Sequence, residues 1–261
     1  MIIVIPCGGL ANRMRVVHSA MAWQAQNNEK IRIGWIENAE LNCSYDMLFE
    51  NVCRVKHFSN MWLNLLKIKK YLNPILLKFG VRVWNTEEFT ELMQYVKQGK
   101  RNKCDIIFSY TEFYPSEYFH KEYFLPTSSV KIELEKVIAG FTADTIGVHI
   151  RRTDNSWSIE HSPIEAFVER MEAEIQNHST MRFYLATDDY STKQLMKDKF
   201  GDRIITSDSK AVRNTQVGII EAWIELLALS HTQKILGSYY SSFSEMAARI
   251  GGIELNVVWN E

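Results

Sequence analysis

Short apolar strands alternate with amphipathic helices through the C-terminal half of this chain, and this alternation limits the possible folds more than any other feature. Strands separated by helices pair in parallel, and the helices cover both faces of the sheet. The pattern predicts strands at 145–151, 182–187, 203–206, 233–237 and 253–259, and helices at 163–176, 191–199, 216–230 and 242–250. We therefore expect a doubly wound α/β unit in this half.

The N-terminal half begins in the same way, with a glycine turn between its first strand and first helix. The predicted elements are a strand at 1–6, a helix at 10–27, a strand at 31–36, helices near 61–72, 75–80 and 87–98, a strand at 105–110, a connector at 125–129 and a helix at 130–139. The fold class predicted from both halves is α/β, with two Rossmann-like halves facing a central cleft. Domains are expected at 1–139 and 140–261.

The strand at 145–151 delivers two arginines to its carboxyl end. Apolar residues alternate with Gly147, His149 and Arg151, which is the two-residue period of a strand, and Arg152 follows in the turn. Open α/β sheets bind ligands where such strands end. A guanidinium there matches the oxygens of a phosphate, because its planar fork donates two hydrogen bonds. The alternative is a pair of surface arginines that balance nearby acidic residues.

Three other strand ends carry polar residues. The first strand runs into Gly8-Gly9-Leu10-Ala11-Asn12-Arg13, the strand at 182–187 into Asp188-Asp189, and the strand at 233–237 into Ser241-Ser242. Glycines let a backbone approach a ligand, and carboxylates can bind a metal, a sugar hydroxyl or an arginine. Each also has a plain structural reading, as a tight turn or a helix N-cap. The strand end with the arginines, Asp188-Asp189 and Ser241-Ser242 belong to one domain and together predict one site, whereas the glycine turn taken alone favours the tight-turn reading.

Composition excludes several classes of protein. The 261 residues carry a formal net charge of -1, which gives no bias toward nucleic acid, and no apolar run approaches the ~18 residues of a membrane span. The four cysteines show neither CxxC spacing nor paired histidines, so neither zinc nor a disulfide framework is predicted. A cytoplasmic location is the simplest expectation.

Charge is nevertheless uneven along the chain. The segment 54–82 contains seven lysines and arginines, interleaved with apolar residues, and has no acidic residue. Such a segment can lie on an anionic membrane surface, here the inner membrane face. The alternative is two helices packed around Asn73-Pro74 with a solvated basic face.

The C-terminal half resembles the donor-binding domain of the fucosyltransferase superfamily, especially α1,6-fucosyltransferases and the related nodulation enzymes. The matching segments, in the same order and at similar spacing, are VHIRRTDN at 148–155, HSPIEAF at 161–167, FYLATDD at 183–189, WIELLALS at 223–230 and LGSYYSSFSEMA at 236–247. In the N-terminal half, CGGLANRM at 7–14 resembles the corresponding turn of α1,2-fucosyltransferases.

The resemblance implies a GT-B-like fold and an inverting, metal-independent transferase that uses GDP-fucose or a related GDP-sugar and needs no cofactor. It implies an acceptor-side domain at 1–139 and a donor-binding domain at 140–261. Glu225 would read the guanine edge, and Arg151 would bind the pyrophosphate. The other implied donor-site residues are His149, Arg152, Asp154, Asp188, Asp189, Ser241, Ser242, Asn12 and Arg13.

Glycosyl transfer also needs a base for the acceptor hydroxyl and positive charge for the leaving diphosphate. Glu160 is the candidate base, His161 is the alternative, and Arg151 can supply the charge. The leading function is therefore a bacterial-type fucosyltransferase that modifies a surface polysaccharide or a glycolipid. A non-catalytic nucleotide-sugar-binding protein and a Mg²⁺-dependent phosphoryl-transfer enzyme are the alternatives. The sequence leaves the acceptor, the linkage and the sugar of the donor open.

Overall fold

The structure is a computed structural model that describes residues 1–98, 100, 102–116, 118–207 and 214–260. Its internal contacts divide the chain into two compact units, Met1–Thr127 with Asn214–Gln216, and Ser128–Arg213 with Val217–Glu261. The division falls between residues 127 and 128, before the predicted boundary at 139, because the helix that follows the connector belongs to the second unit. The functions predicted for the two domains stay predictions.

The first unit contains a parallel sheet whose five described strands lie in the order β3-β2-β1-β5-β4. Its strands are β1 Ile2–Pro6, β2 Ile31–Ile36, β3 Lys56–Phe58, β4 Val81–Asn85 and β5 Cys104–Ser109. Its helices are α1 Leu10–Asn27, α2 Tyr45–Leu48, α3 Met61–Leu76 and α4 Phe89–Lys97. All five residues of β1 are buried, as expected for a central parallel strand that is covered on both faces.

The prediction of two helices around Asn73-Pro74 is wrong. Helix α3 continues through Pro74 to Leu76, and a 3-10 turn at Leu77–Phe79 follows it. Pro74 is exposed, so water can reach the carbonyl group that loses its helical partner. The Asn73 side chain forms hydrogen bonds with both the N–H and the C=O of Val83, at 2.9 and 2.8 Å, and thereby fastens the end of the helix to β4.

The second unit contains another parallel sheet, with its five described strands in the order β10-β9-β6-β7-β8. Its strands are β6 Thr145–Ile150, β7 Arg182–Thr187, β8 Ile204–Ile205, β9 Lys234–Ser238 and β10 Glu254–Val258. The helices that accompany it are α5 Ser128–Ile138, α6 Ser156–His161, α7 Ile164–Asn177, α8 Tyr190–Phe200, α9 Gln216–Ser230 and α10 Ser242–Gly251.

Strand β6 is the centre of this second sheet. Its six residues are all buried, with β7 paired on one side and β9 on the other. From β6 the chain proceeds outward through β7 and β8, and later returns to add β9 and β10 on the opposite side. The strand order therefore reverses beside β6, and such a reversal opens a crevice for a ligand at the carboxyl ends of the strands.

The close packing of α10 on β9 depends on a glycine. A Cβ atom built at Gly237 would lie 2.7 Å from Ser244 Oγ and 2.8 Å from Leu255 Cδ1. Only a residue without a side chain lets α10 approach β9 this closely. Because β9 pairs with β6, the start of α10 then lies beside the end of β6. Among the described residues, no helix has the length and apolar character needed to cross a membrane.

Candidate functional site

The candidate site lies at the carboxyl end of the second sheet, where β6 and β9 end side by side. The Ser238 hydroxyl joins the two strand ends, since it accepts a hydrogen bond from the Arg151 N–H at 3.1 Å and donates one to the His149 carbonyl at 3.3 Å. This arrangement fixes the backbone at the point where the predicted arginines leave the strand. Sequence reasoning did not select Ser238.

Arg151 presents its guanidinium on this edge, paired with Asp154. Its Nε and Nη2 atoms donate to the two carboxylate oxygens of Asp154, at 2.8 and 3.0 Å. The carboxylate of Asp154 is about half exposed, so water screens the pair and weakens it. A phosphate group offers the same pair of acceptors, and it can therefore replace or share this contact.

Arg152 points elsewhere and supports the loop. Its guanidinium donates from Nη1 to the Ile159 carbonyl at 3.2 Å and from Nη2 to the Ser162 carbonyl at 2.5 Å. Its Nε atom is buried and has no hydrogen-bond partner among the described residues. Burial lowers the pKa of Arg152, while the carboxylates of Glu165, Asp188 and Asp189 oppose that effect. Arg152 thus connects the start of this loop to the C-terminal end of α6.

The paired aspartates after β7 bind the protein's own backbone. Asp188 accepts hydrogen bonds from the N–H of Arg152 at 2.7 Å and from the N–H and hydroxyl of Thr153 at 3.3 and 2.7 Å. Asp189 is the N-cap of α8, which confirms the alternative reading of that residue, and it accepts from the N–H of Thr192 at 2.8 Å. Burial raises the pKa of Asp189, but hydrogen bonds from Ser191 and Thr192 outweigh this and leave it below the ordinary value.

His149 and Ser241 lie together under the start of α10. Both are buried, with His149 Nδ1 at 3.4 Å from Ser241 Oγ, and the imidazole stacks on Phe243 with ring centroids 4.8 Å apart. Ser241 occupies the N-cap position of α10, but its side chain does not cap the helix. Ser242 is the first residue of α10, as predicted, and is half-buried.

Glu225 lies on α9 beside two polar partners that sequence reasoning missed. The Ser207 hydroxyl donates to Glu225 Oε1 at 3.2 Å, and Lys193 Nζ lies 3.9 Å from the same oxygen. Lys193 is buried and also donates to the carbonyl of Ser207 at 3.2 Å. The available signal was the position of this lysine, which shares the buried face of α8 with Thr192 and Met196.

The two candidate bases are neighbours on α6. The side chain of Asn155 caps this short helix by accepting from the Ser158 N–H at 3.2 Å. Glu160 is exposed, whereas the His161 imidazole is half-buried and donates from Nδ1 to the Trp157 carbonyl at 3.0 Å. Their roles as bases stay predictions.

The first unit holds Asn12 and Arg13, the remaining predicted residues. Arg13 is fully buried, with hydrogen bonds from Nε to the Gly8 carbonyl at 2.8 Å and from Nη1 to the Ile36 carbonyl at 2.6 Å. Burial lowers its pKa to about 10. In this structure Arg13 braces the turn, and its predicted contact with a ligand stays a prediction. Asn12 is half-buried beside Gly8, whose φ of 82° requires glycine.

Among the described residues, no group of three or more histidine, cysteine or carboxylate side chains lies close enough to hold a metal ion. The guanidinium of Arg151 is a positive charge that the carboxyl end of β6 presents. Contacts of Arg151 with a diphosphate and of Glu225 with a base stay predictions.

Comparisons with known proteins agree with this topology. No protein-family model and no curated protein matches the sequence. A solved structure of NodZ α-1,6-fucosyltransferase soaked with GDP-fucose has a TM-score of 0.66 at 15% identity, and the match covers 95% of this chain and 92% of that one. A further NodZ structure comes from Bradyrhizobium. The chain has a fucosyltransferase fold.

Two structures with lower sequence identity to this chain share the fold. Arabidopsis thaliana FUT1, in a mutant form with GDP, has a TM-score of 0.68 at 12% identity, covering 100% of this chain and 70% of that one. POFUT1 in complex with GDP has a TM-score of 0.53 at 10% identity, covering 98% and 97%. The predicted GT-B-like α/β fold class is thereby confirmed. At these identities the activity has to be argued from the residues.

Proposed function

We propose that the chain is an inverting, metal-independent glycosyltransferase that transfers fucose from GDP-fucose to a hydroxyl of a glycan. One observation carries the proposal: the guanidinium of Arg151 stands at the carboxyl end of β6, where the strand order reverses, in a fold that NodZ and POFUT1 structures share. Those relatives were crystallised with GDP or GDP-fucose. The same donor suits the residues at the end of this sheet.

Arg151 is proposed to stabilise the leaving diphosphate. As the bond between the anomeric carbon and the phosphate oxygen breaks, negative charge develops on the diphosphate, and a fixed guanidinium binds that charge more strongly as it grows. Arg152 acts indirectly, because its guanidinium holds the carbonyls of Ile159 and Ser162 and so positions the loop. With arginine supplying the charge, the reaction does not require a metal ion.

Glu225 and Lys193 are proposed to select guanine. The guanine edge presents two donors, N1–H and N2–H₂, beside the acceptor O6. A carboxylate with an ammonium 3.9 Å away offers the complementary acceptor and donor. Adenine presents the opposite pattern at the corresponding positions, so a site of this kind rejects it because buried polar groups would be left unpaired.

The acceptor hydroxyl is proposed to lose its proton to Glu160. The hydroxyl oxygen forms the new bond to the anomeric carbon on the face opposite the departing diphosphate, which inverts the configuration, and the proton passes to the base. Glu160 is exposed on α6, within the segment that Arg152 holds. His161 is the alternative base.

The acceptor is proposed to belong to a surface polysaccharide or a glycolipid, since α3 offers a surface for a membrane. Its exposed apolar residues Ile68, Tyr71 and Ile75, with Phe79 in the following turn, recur at helical spacing, while Trp62 and Leu63 pack into the core. Exposed Lys67, Lys70 and Lys78 flank this stripe. Anionic lipid attracts each such lysine by about 1 kcal/mol.

Calorimetric titration and a fucose-transfer assay test the proposed activity together. GDP and GDP-fucose should bind in the presence of EDTA, and Glu225→Ala should abolish the preference for GDP over ADP.

Arg151→Ala should lower the transfer rate by about 10²–10³-fold, with Arg151→Lys intermediate. Glu160→Gln should retain GDP binding and lose transfer. Failure of GDP to bind, or a strict requirement for Mg²⁺, would overturn the proposal.

The membrane surface is tested separately by co-sedimentation with vesicles. Vesicles that contain phosphatidylserine should retain the protein, whereas vesicles of phosphatidylcholine alone should not. The double variant Lys67→Glu/Lys70→Glu should release it. The control is the same change on α5, Lys131→Glu/Lys136→Glu, which should have no effect. Equal binding of both double variants would contradict a role for α3.

A further inference from the structure

A stack of four aromatic rings lies beside the candidate base. Trp157 and His161 on α6 have ring centroids 5.3 Å apart, His161 and Tyr239 5.0 Å, and Tyr239 and Trp259 5.9 Å. The angles between successive ring planes are 24°, 25° and 19°. Three separate segments of the second unit supply these rings, so the stack, which we call the aromatic platform, is a product of the tertiary fold.

The platform is exposed at its outer members. Trp157 is 59% exposed and Trp259 51%, and the adjacent Tyr240 is 76% exposed. Large aromatic side chains bury more surface than any others when they pack in a core, so their exposure as a group marks a binding surface. The two terminal rings of the stack therefore offer aromatic surface to a ligand.

Hydrogen bonds to the backbone hold the platform in place. Ser158 Oγ donates to the Tyr239 carbonyl at 2.7 Å, the Tyr239 N–H donates to Ser162 Oγ at 2.7 Å, and Asn155 Nδ2 donates to the Tyr240 carbonyl at 3.1 Å. Tyr240 has a φ of 53°, a left-handed conformation that is unfavourable for a bulky residue. Strain that is maintained in this way is typical of ligand sites, because it fixes a surface before the ligand arrives.

We propose that the aromatic platform binds a pyranose ring of the acceptor glycan, which stacks its C–H face on Trp157 or Trp259. This inference rests on the proposed function and names the surface that receives its acceptor. A pyranose has an apolar face and a rim of hydroxyl groups, which matches exposed indoles that adjoin the polar residues Ser156, Glu160 and Asn260. Glu160 lies on the same short helix as Trp157, so a stacked sugar would have its hydroxyl rim beside the proposed base.

The test uses protein labelled with 5-fluorotryptophan and saturated with GDP, because its ¹⁹F signals report Trp157 and Trp259 individually. The probes are tetrasaccharides of β-1,4-glucose, of β-1,4-N-acetylglucosamine and of α-1,2-mannose. At least one should shift the signal of Trp157 or that of Trp259. Alanine at the tryptophan whose signal shifts should weaken binding roughly tenfold, and phenylalanine at the same position should restore part of the loss. Tyr71→Ala, an exposed aromatic residue of the first unit, is the control and should change nothing.

The possible outcomes separate this inference from the proposed function. If GDP binds and no tetrasaccharide shifts either signal, or if the shift survives Trp157→Ala and Trp259→Ala, the platform is not a sugar site and the inference fails alone. If a tetrasaccharide binds and GDP does not, the proposed function fails and the platform is a carbohydrate site of a different protein class. Signals that respond to phosphatidylserine vesicles instead of tetrasaccharides would also overturn the inference.

Discussion

Two neighbouring arginines at the end of β6 illustrate how one residue type serves two purposes. Arg151 is paired with Asp154, a partly exposed partner that a phosphate can displace, while Arg152 donates to backbone carbonyls that no ligand can replace. Removing Arg151 should therefore affect ligand binding, whereas removing Arg152 should disturb the loop itself. The same division separates the residues predicted for this site into those proposed to contact a ligand and those that position the contacting residues.

Asp188 belongs to the second group. We expect Asp188→Asn to destabilise the second unit by about 1–3 kcal/mol, because the amide cannot satisfy the donors of Arg152 and Thr153 as the carboxylate does. The affinity for GDP should fall as well, since the backbone that directly follows Arg151 would lose its anchor. Urea unfolding and calorimetry measure the two effects. Asp198→Asn, at an exposed position of α8, is the control, and equal effects of both variants would argue against the role of Asp188.

The buried thiols give a prediction about pH. Burial raises the pKa of Cys7 from 9.0 to about 12. Because the folded-state value is the higher one, the resulting stability is complete below pH 9 and is lost between pH 9 and 12. The free energy of unfolding should fall there by about 1.4 kcal/mol per pH unit from this group, and Cys7→Ala should reduce the slope. Urea titrations from pH 8 to 10.5 measure the slopes, and rapid labelling of native Cys7 by a thiol reagent at pH 8 would contradict the prediction.

At the scale of elements, the contact between α10 and β9 leaves no room for an added side chain at Gly237. Gly237→Ala should destabilise the protein by about 1–3 kcal/mol, because the added methyl group meets Ser244 and Leu255 at under 3 Å. It should also weaken GDP binding by displacing the start of α10. Gly140→Ala, where the added atom meets nothing within 4 Å, is the matched control. Urea unfolding compares the two variants, and equal stability would mean that α10 can shift without cost.

Long elements with a clear period could be predicted from the sequence. Helix α1, strand β2, strand β7 and helix α9 begin and end at the predicted residues. Their hydrophobic patterns extend over several turns or continuous buried runs, so local and tertiary preferences agree.

Short elements were missed for a physical reason. Strand β3 has three residues, and α6 has six. A helix of that length is not stable alone, so α6 exists because Asn155 caps it and Arg152 binds its carbonyl groups. These contacts join residues that the hydrophobic pattern of a six-residue segment does not relate, so they could not be predicted. The aromatic platform was missed for the same reason, since its rings come from three segments of the chain.

At the scale of the whole molecule, both described units are parallel sheets with the first strand of the series in the centre. The alternation of strands and helices predicted two α/β halves, but it predicted neither the strand orders nor strands β3 and β4. The sequence could not assign a role to each polar residue. An aspartate after a strand, such as Asp189, can cap the next helix or contact a ligand, and the sequence is the same in both cases. Only the direction of the side chain distinguishes the two.

This architecture predicts where a bound nucleotide should act. GDP at one hundred times its Kd should stabilise the folded protein by about 2.7 kcal/mol. Hydrogen exchange should slow most in residues 149–155 and 237–243, where β6 and β9 end, and least in the distant strand starts. Mass-spectrometric exchange with and without GDP measures this. Protection that is uniform across the chain, or confined to β3 and β4, would contradict the assignment of the donor site to the second sheet.

The way α6 is fastened has a consequence for evolution. Arg152, Ser158 and Ser162 hold the helix and its neighbours through backbone carbonyl and N–H groups, which every residue possesses. Substitutions at the outward positions 156 and 157 leave these bonds intact. The proposed acceptor surface can therefore vary among descendants of this chain under little structural constraint, while the proposed base and nucleotide site stay the same.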